Sequence, residues 1–396
     1  MDFDDSPAEA EFRSELRTWL DEHAPRRQQT EVRLSPMATF KDDPLSVVEA
    51  RAWQARLAAA RWTGIHWPVE HGGRGSSLAE AMVLAEELQG YDVPTGLFTI
   101  GIAMIGPTLI AHADAHQQAR WLGPMLRGED IWCQLWSEPD AGSDLASLRT
   151  RAVRDGDEYV LDGQKVWTSG AHYAQYGLGI FRTEPDAPKH KGISCLVVDM
   201  ATPGVIVRPL RQITGEAHFN EVFFDGARVP VANLIGPEND GWNVARTTLM
   251  NERFAVGALD SSEVAFGALR GLARSTGRDR DPLVRQSLAR VFAAGKVADL
   301  TNMRVRTAIA RDGIPGVEGS ILKLAMADLS SAVAEAGFHL LGPAGLQTGA
   351  DAPEDGRWAE AVVGSFAMHI GGGTDNIQRN IVSELVLGLP REPKPT

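Results

Sequence analysis

The sequence predicts an α+β multidomain protein: an N-terminal α-helical domain at 1–131, a middle antiparallel β domain at 132–232, and a C-terminal, four-helix-bundle-like α domain at 233–396. Three observations predict it. Apolar residues recur at helical spacing from residue 7 to about 127. From 132 to about 230, short alternating runs are punctuated by the hairpin pairs Asp155-Gly156 and Asp162-Gly163. After Gly241 the helical spacing returns, in long segments joined by short loops, as in an up-and-down bundle.

The elements follow in order. Ser6-Pro7-Ala8-Glu9 reads as a helix start, with Ser as N-cap, Pro at the first helical position and Glu three after the cap. Phe12, Leu16, Trp19 and Leu20 then form its apolar stripe, and Pro25 closes it. Residues 26–43 are polar and Pro-containing, a loop; helical spacing resumes at 45–62. His66–Gly75 is a Gly-rich loop, but no Lys or Ser/Thr follows at phosphate-loop spacing. Ser77 caps a helix over 78–90. Pro94–Ala113 is almost wholly apolar and small, a core helix that neighbours can approach closely, and 114–127 is a further helix ending at Gly128. Strands are expected at 158–167, 173–182, 192–199, 204–209 and 219–229. Helices are expected at 241–275, 281–312, 316–342, 356–371 and 374–387, followed by a Pro-punctuated extended tail.

Composition narrows the function classes. Hydrophobic residues at 43% and charged residues at 23% fit an ordinary globular chain. The formal net charge of −13 argues against general binding to nucleic acid or anionic membranes. Two cysteines, Cys133 and Cys195, give neither a disulfide framework nor a Cys-based metal site, and the ten histidines show no metal-ligand spacing, so no metal is expected. The acidic N-terminus lacks an apolar signal core, and no run of about 18 apolar residues offers a membrane span, leaving a reducing, cytoplasmic setting as the default expectation.

The stretch Trp132–Ser169 carries the most chemistry. Trp132–Ser137 alternates large apolar with small polar residues, as a half-buried strand does, and Glu138–Asp144 then breaks it with Pro, Gly and Asp. At the far end, Val166-Trp167-Thr168-Ser169 is a strand with an indole flanked by hydroxyls. Two readings are open: a plain sheet with Trp132, Trp136 and Trp167 as core, or two adjacent ends forming a wall of apolar faces and hydroxyls suited to a flat heteroaromatic ring.

Four segments are similar to signatures of the acyl-CoA dehydrogenase family of flavoenzymes, in order and at ordinary spacing. They are Ser137–Asp144, Asp162–His172, Arg211–Gly215 with Phe219–Asp225, and Gly371–Glu392. Trp67–Gly73 also resembles a structural loop of that family. The resemblance implies FAD as cofactor and removal of an α-proton and a β-hydride from opposite faces of an acyl-CoA thioester, giving a trans-2-enoyl-CoA. It implies flavin contacts from Gln134, Trp136, Ser137, Gly142, Ser143, Trp167, Ser169, Thr374 and Asn376, with Ser143 also on the CoA side, and an acyl-chain channel lined from 94–113. It further implies an electron-transfer flavoprotein as acceptor and a homo-oligomer, dimer or tetramer, in which the adenine end of FAD reaches a neighbouring subunit.

The general base is where the chain departs from the commonest pattern. Many members carry a Glu just before Gly-Thr at the start of the last helix; here that position is Gly372, which has no side chain to accept a proton. Isovaleryl- and long-chain-type members, and bacterial relatives like them, instead carry the base on a bundle helix as Glu-Arg, and Asn251-Glu252-Arg253 stands at that place. The resemblance therefore implies Glu252 as base and Arg253 as a substrate-binding cation; the residue alone equally allows a solvated helix face. The adenine motifs also depart: Arg274 lacks the family's following Phe, and His339 and Pro343 replace a Gln and a Gly. Two other readings stand beside the enzyme: a catalytically silent subunit of a mixed tetramer, and a flavin acyl-CoA oxidase.

Overall fold

The computed structural model describes residues 5–27, 44–94, 96–255, 262–312, 318–349 and 351–391. Its internal contacts divide the chain into two compact units, one of residues 1–39, 77–93 and 256–396, the other of 40–76 and 94–255.

The helices of the N-terminal third are α1 (Pro7–His23), α2 (Pro44–Ala59), α3 (Leu78–Leu88), α4 (Gly106–His112) and α5 (Ala115–Arg127). Reciprocal capping boxes begin α1 at Ser6 with Glu9, α3 at Ser77 with Glu80, and α5 at Asp114 with Gln117. The side chain of each cap accepts an otherwise orphaned backbone N–H, which is why these short motifs fix helix starts so sharply. The apolar run 94–113 is not one helix. It forms a 3₁₀ turn at Gly96–Phe98, a π-helix at Ile100–Ile105 and then α4.

Eight strands make one sheet: β1 (Trp132–Leu135), β2 (Arg151–Asp155), β3 (Glu158–Ser169), β4 (Tyr176–Arg182), β5 (Ile193–Asp199), β6 (Val205–Leu210), β7 (Phe219–Pro230) and β8 (Leu234–Ile235). Their order is β6-β7-β3-β2-β4-β5-β8, with β1 paired to β4. The ladders are antiparallel except for β1–β4 and a single parallel β2–β4 pair. The sheet is buried on both faces. On β5, Ile193, Cys195 and Val197 join a cluster with Trp121, Leu122 and Val244, while Leu196 and Val198 join the opposite one with Tyr159 and Phe224. A strand covered on both sides can be apolar throughout, as Ile193–Val198 nearly is. The two thiols fall in opposite clusters, and burial pushes Cys133 up to about 12.

The remaining helices are α6 (Gly241–Ala255), α7 (Ser262–Ser275), α8 (Pro282–Asp312), α9 (Glu318–Leu341), α10 (Arg357–Ser365) and α11 (Asp375–Ile381). Residues 241–275, expected as one helix, are α6 and α7, with 256–261 lying outside the described residues. α6 packs with the sheet unit, Val244 and Ala245 entering its core. In the other unit α7, α8 and α9 share a core of Leu269, Val291, Leu329 and Val333 with Trp358 of α10. A Cβ on Gly337 of α9 would meet the Trp358 ring at 1.9 Å, so the glycine is what lets that indole lie flat on the helix. Arg13 of α1 ties to Glu86 and Glu87 of α3. Among the described residues, no helix is long and apolar enough to cross a membrane.

Candidate active site

The two ends of Trp132–Ser169 do meet. The β3–β7 register runs unbroken from Asp162 to Lys165 and resumes only at Thr168. In the gap, β3 is held by the segment after β1: the Val166 N–H donates to the Ser137 carbonyl at 2.8 Å, and Lys165 Nζ donates to the Trp136 carbonyl at 3.1 Å and to Glu138 Oε1 at 2.8 Å. This change of partner is a β-bulge.

Its consequence is Trp167, which sits at φ 61° with its side chain 56% exposed. Left-handed backbone is uncommon for a bulky L-residue and costs about 1 kcal/mol, so its presence marks a place where surrounding contacts override the local preference. The indole stands edge-on to Phe219, centroids 5.8 Å apart. Trp132 and Trp136, in contrast, are buried, and the Trp136 indole N–H donates to the Leu178 carbonyl at 3.2 Å. Trp136, expected on the cofactor side, thus supports the site from the core rather than facing it. The two readings of this stretch divide between residues: core for Trp132 and Trp136, an open shelf for Trp167.

Around the shelf, Gln134, Ser137 and Ser169 are half-buried, while Gly142 and Ser143 are exposed, with open space where a Gly142 Cβ would be. Asn220 Nδ2 bridges the carbonyls of Thr168 and His218, at 3.0 and 3.3 Å. Thr168 Oγ1 and His218 Nε2 are buried without a partner.

Glu138 and Lys165 were invisible as site residues in the motif reading. Lys165 is wholly buried and Glu138 nearly so. Glu138 also accepts the backbone N–H groups of Arg149, at 2.6 Å, and Thr150, at 2.9 Å. Burial pulls the Lys165 ammonium down to about 8, with Glu138 opposing that shift. Burial works to raise the Glu138 carboxyl, but Lys165, Thr150 and the Arg149 amide outweigh it and hold it below its ordinary range. A signal was present in the sequence. Lys165 has the same strand parity as the fully buried Tyr159 and Leu161, an inward position where a lone charge requires a partner.

Glu252 lies on α6 in the same unit. It is one turn beyond Thr248, which is fully buried and hydrogen-bonded through Oγ1 to Thr108 of α4 at 2.9 Å. Residues at i and i+4 share a helix face, so Glu252 lies on the same side of α6 as the buried Val244 and Thr248, and it is half-buried. The Ile100–Ile105 π-helix packs against α6. π-Helical turns widen a helix locally and recur at functional sites. Arg253 lies in α6, but its side chain is outside the described residues. Trp67 of the Gly-rich loop is buried, its indole N–H on the Ile102 carbonyl at 3.2 Å, so this loop is structural.

In the other unit, Thr374 caps α11, its side chain accepting the Ile377 N–H at 3.3 Å, while Asn376 and Arg274 are exposed. Gly372 and Gly373 have φ of 65° and 85°. A Glu at position 372 would therefore be strained. Asp375 receives Lys323 Nζ at 3.0 Å and pairs with His369 Nδ1 at 2.7 Å. Asp328, His369 and Asp375 present ligand-type atoms within 4.8 Å of one another, but these two partners already occupy Asp375.

An exposed indole on a bulge, with the half-buried Ser137 and Ser169 on the segments that form it, fits a flat ring bearing polar edges, as FAD has. Comparison with known proteins agrees. The models of the acyl-CoA dehydrogenase N-terminal, middle and C-terminal domains match residues 6–129, 133–227 and 239–387. Acyl-CoA dehydrogenase IpdE1 of Mycobacterium tuberculosis is 40% identical over 391 residues, covering 97% of this chain and 98% of that protein. Among solved structures, the Tcur3481-Tcur3483 steroid ACAD is 32% identical with a TM-score of 0.84, covering 99% of this chain and 100% of that one. The ChsE4-ChsE5 complex from Mycobacterium tuberculosis is 31% identical with a TM-score of 0.80, covering 99% and 100%.

Proposed function

The chain belongs to the acyl-CoA dehydrogenase family of FAD flavoproteins, and from that premise we propose that it desaturates the α,β bond of an acyl-CoA thioester with Glu252 as the α-proton base. The observation that carries this reading is Glu252 itself: a carboxylate half-buried on the side of α6 that carries Val244 and Thr248, in a chain whose alternative base position is Gly372. Bound FAD supplies the acceptor for the β-hydrogen and its electron pair. The protein's own part is to orient and to accept a proton. The Glu252 carboxylate takes the α-proton, and Arg253 beside it holds the substrate. Trp167 offers an apolar face for stacking, with Gln134, Ser137, Gly142 and Ser169 at its edges and Ser143 toward CoA. Arg274, Thr374 and Asn376 are further proposed flavin contacts. The π-helical segment lines the acyl end, and a base carried on α6 leaves room for a branched or bulky acyl group. The printed name of the steroid ACAD relative favours a polycyclic one. Electrons leave to an electron-transfer flavoprotein.

Two relatives are named as pairs of different chains, which keeps a second reading in play: this chain as the silent subunit of a mixed assembly rather than a homo-oligomer. The test is to mix the purified protein anaerobically with steroid, branched and straight-chain acyl-CoA thioesters. Flavin bleaching with a product lighter by two hydrogens supports the dehydrogenase. A protein that takes up no FAD on its own supports the silent subunit. Rapid peroxide formation on admitting air identifies an oxidase instead.

A further inference from the structure

We infer that the buried Glu138–Lys165 pair is a positioning device for the reaction, holding Trp167 in its left-handed, exposed conformation. The inference rests on the reading of Trp167 as the flavin-facing shelf. Geometrically, β3 leaves β7 immediately after Lys165 and rejoins it at Thr168. What captures it in between is the 136–138 segment, through two bonds from Lys165 Nζ and one from the Val166 amide. That segment is itself fixed. Glu138 and Ala141 exchange backbone hydrogen bonds at 3.1 and 3.0 Å, and the Glu138 carboxylate is anchored by the amides of Arg149 and Thr150. Thr150 in turn donates through Oγ1 to the Gln164 carbonyl at 3.2 Å. Trp167 is thus two residues beyond a lysine tied at 2.8 Å to a carboxylate that accepts two further hydrogen bonds, from backbone amides. A residue held in an unfavoured backbone region persists only while neighbours over-determine it, and this pair is the neighbour that does so. Facing the Lys165 ammonium are Glu138 and, opposing it electrostatically, Arg182 of β4; the Phe181 ring lies 5.3 Å away.

The experiment compares Lys165→Met and the near-isosteric Glu138→Gln with wild type, using full-length protein labelled with fluorotryptophan. The Trp167 resonance is assigned by its loss in Trp167→Phe. Expected in both variants are a shifted or broadened Trp167 resonance in the FAD-free protein, Trp53 and Trp358 resonances unmoved, and FAD affinity lowered about tenfold or more. Glu138→Gln keeps the side-chain shape and one acceptor oxygen for the Arg149 or Thr150 amide, so it is the milder variant and provides a folded test if Lys165→Met does not fold. An unmoved Trp167 resonance in folded Glu138→Gln overturns the inference. If Trp167 moves but FAD affinity does not, the positioning device stands and the shelf reading of Trp167 fails.

Discussion

At the residue scale, the site is built on charges placed where charges are expensive. A lone ammonium or carboxylate inside a protein is heavily penalised, and removing one member of a buried pair costs about 3 kcal/mol or more. Glu138 and Lys165 survive because they pair with each other and because the Trp136 carbonyl and the Arg149 and Thr150 amides add further hydrogen bonds. Both groups have depressed folded-state values, so each makes stability rise with pH, in separate windows. The depressed Glu138 carboxyl contributes stability that is full above the usual carboxylate range and is lost as pH falls through its folded value. Lys165 is lowered to about 8 from 10.5, so its window lies in the alkaline range. Between those values the unfolded chain holds the extra proton, so this group makes stability rise with pH. Urea unfolding of wild type and Lys165→Met across that window is expected to show the gap between them widening in favour of wild type as pH rises. A gap independent of pH would mean that burial does not lower the Lys165 ammonium and that it stays charged through that window.

At the element scale, small residues decide which helices can pass close to others. Gly106 begins α4, and a Cβ there would meet the Trp67 ring at 2.0 Å. Gly106→Ala is expected to destabilise the protein by about 2 kcal/mol through overpacking, seen as a lower urea midpoint. Gly142→Ala, with open space around its Cβ, leaves the midpoint close to wild type. An equal loss in both would place the Trp67 contact elsewhere. This also says what the sequence made legible. Ser6, Ser77 and the Gly128 stop were readable because caps act through local chemistry. The long strands Glu158–Ser169 and Phe219–Pro230 were readable by alternation. Strand β2, Arg151–Asp155, was missed because only Ala152 of its five residues is buried, so it has no apolar period to detect. The π-turn at Ile100–Ile105 escaped for the reverse reason: a uniformly apolar run has no period by which a π-turn is told from an α-helix. The bulge at 166–167 depends on a partner nearly thirty residues earlier in the chain, and no local pattern encodes its positive φ.

At the scale of the whole molecule, the chain carries a formal net charge of −13, both thiols are buried, and the proposed chemistry falls to FAD and Glu252. The fold class could be read because the pattern switches from helical to alternating and back near residues 132 and 241, and the family's signatures fall in the same order. The proposed base, Glu252, could be read only by contrast: Gly372 leaves one position without a side chain, and α6 carries a half-buried carboxylate at the other. The most direct test is single-turnover flavin bleaching of Glu252→Gln. It is mixed anaerobically with the CoA thioester that bleaches wild type fastest. The expected result is retained FAD absorbance with bleaching slowed by about a thousandfold, the scale of a lost general base. Bleaching at the wild-type rate would contradict the account and move the base to another residue.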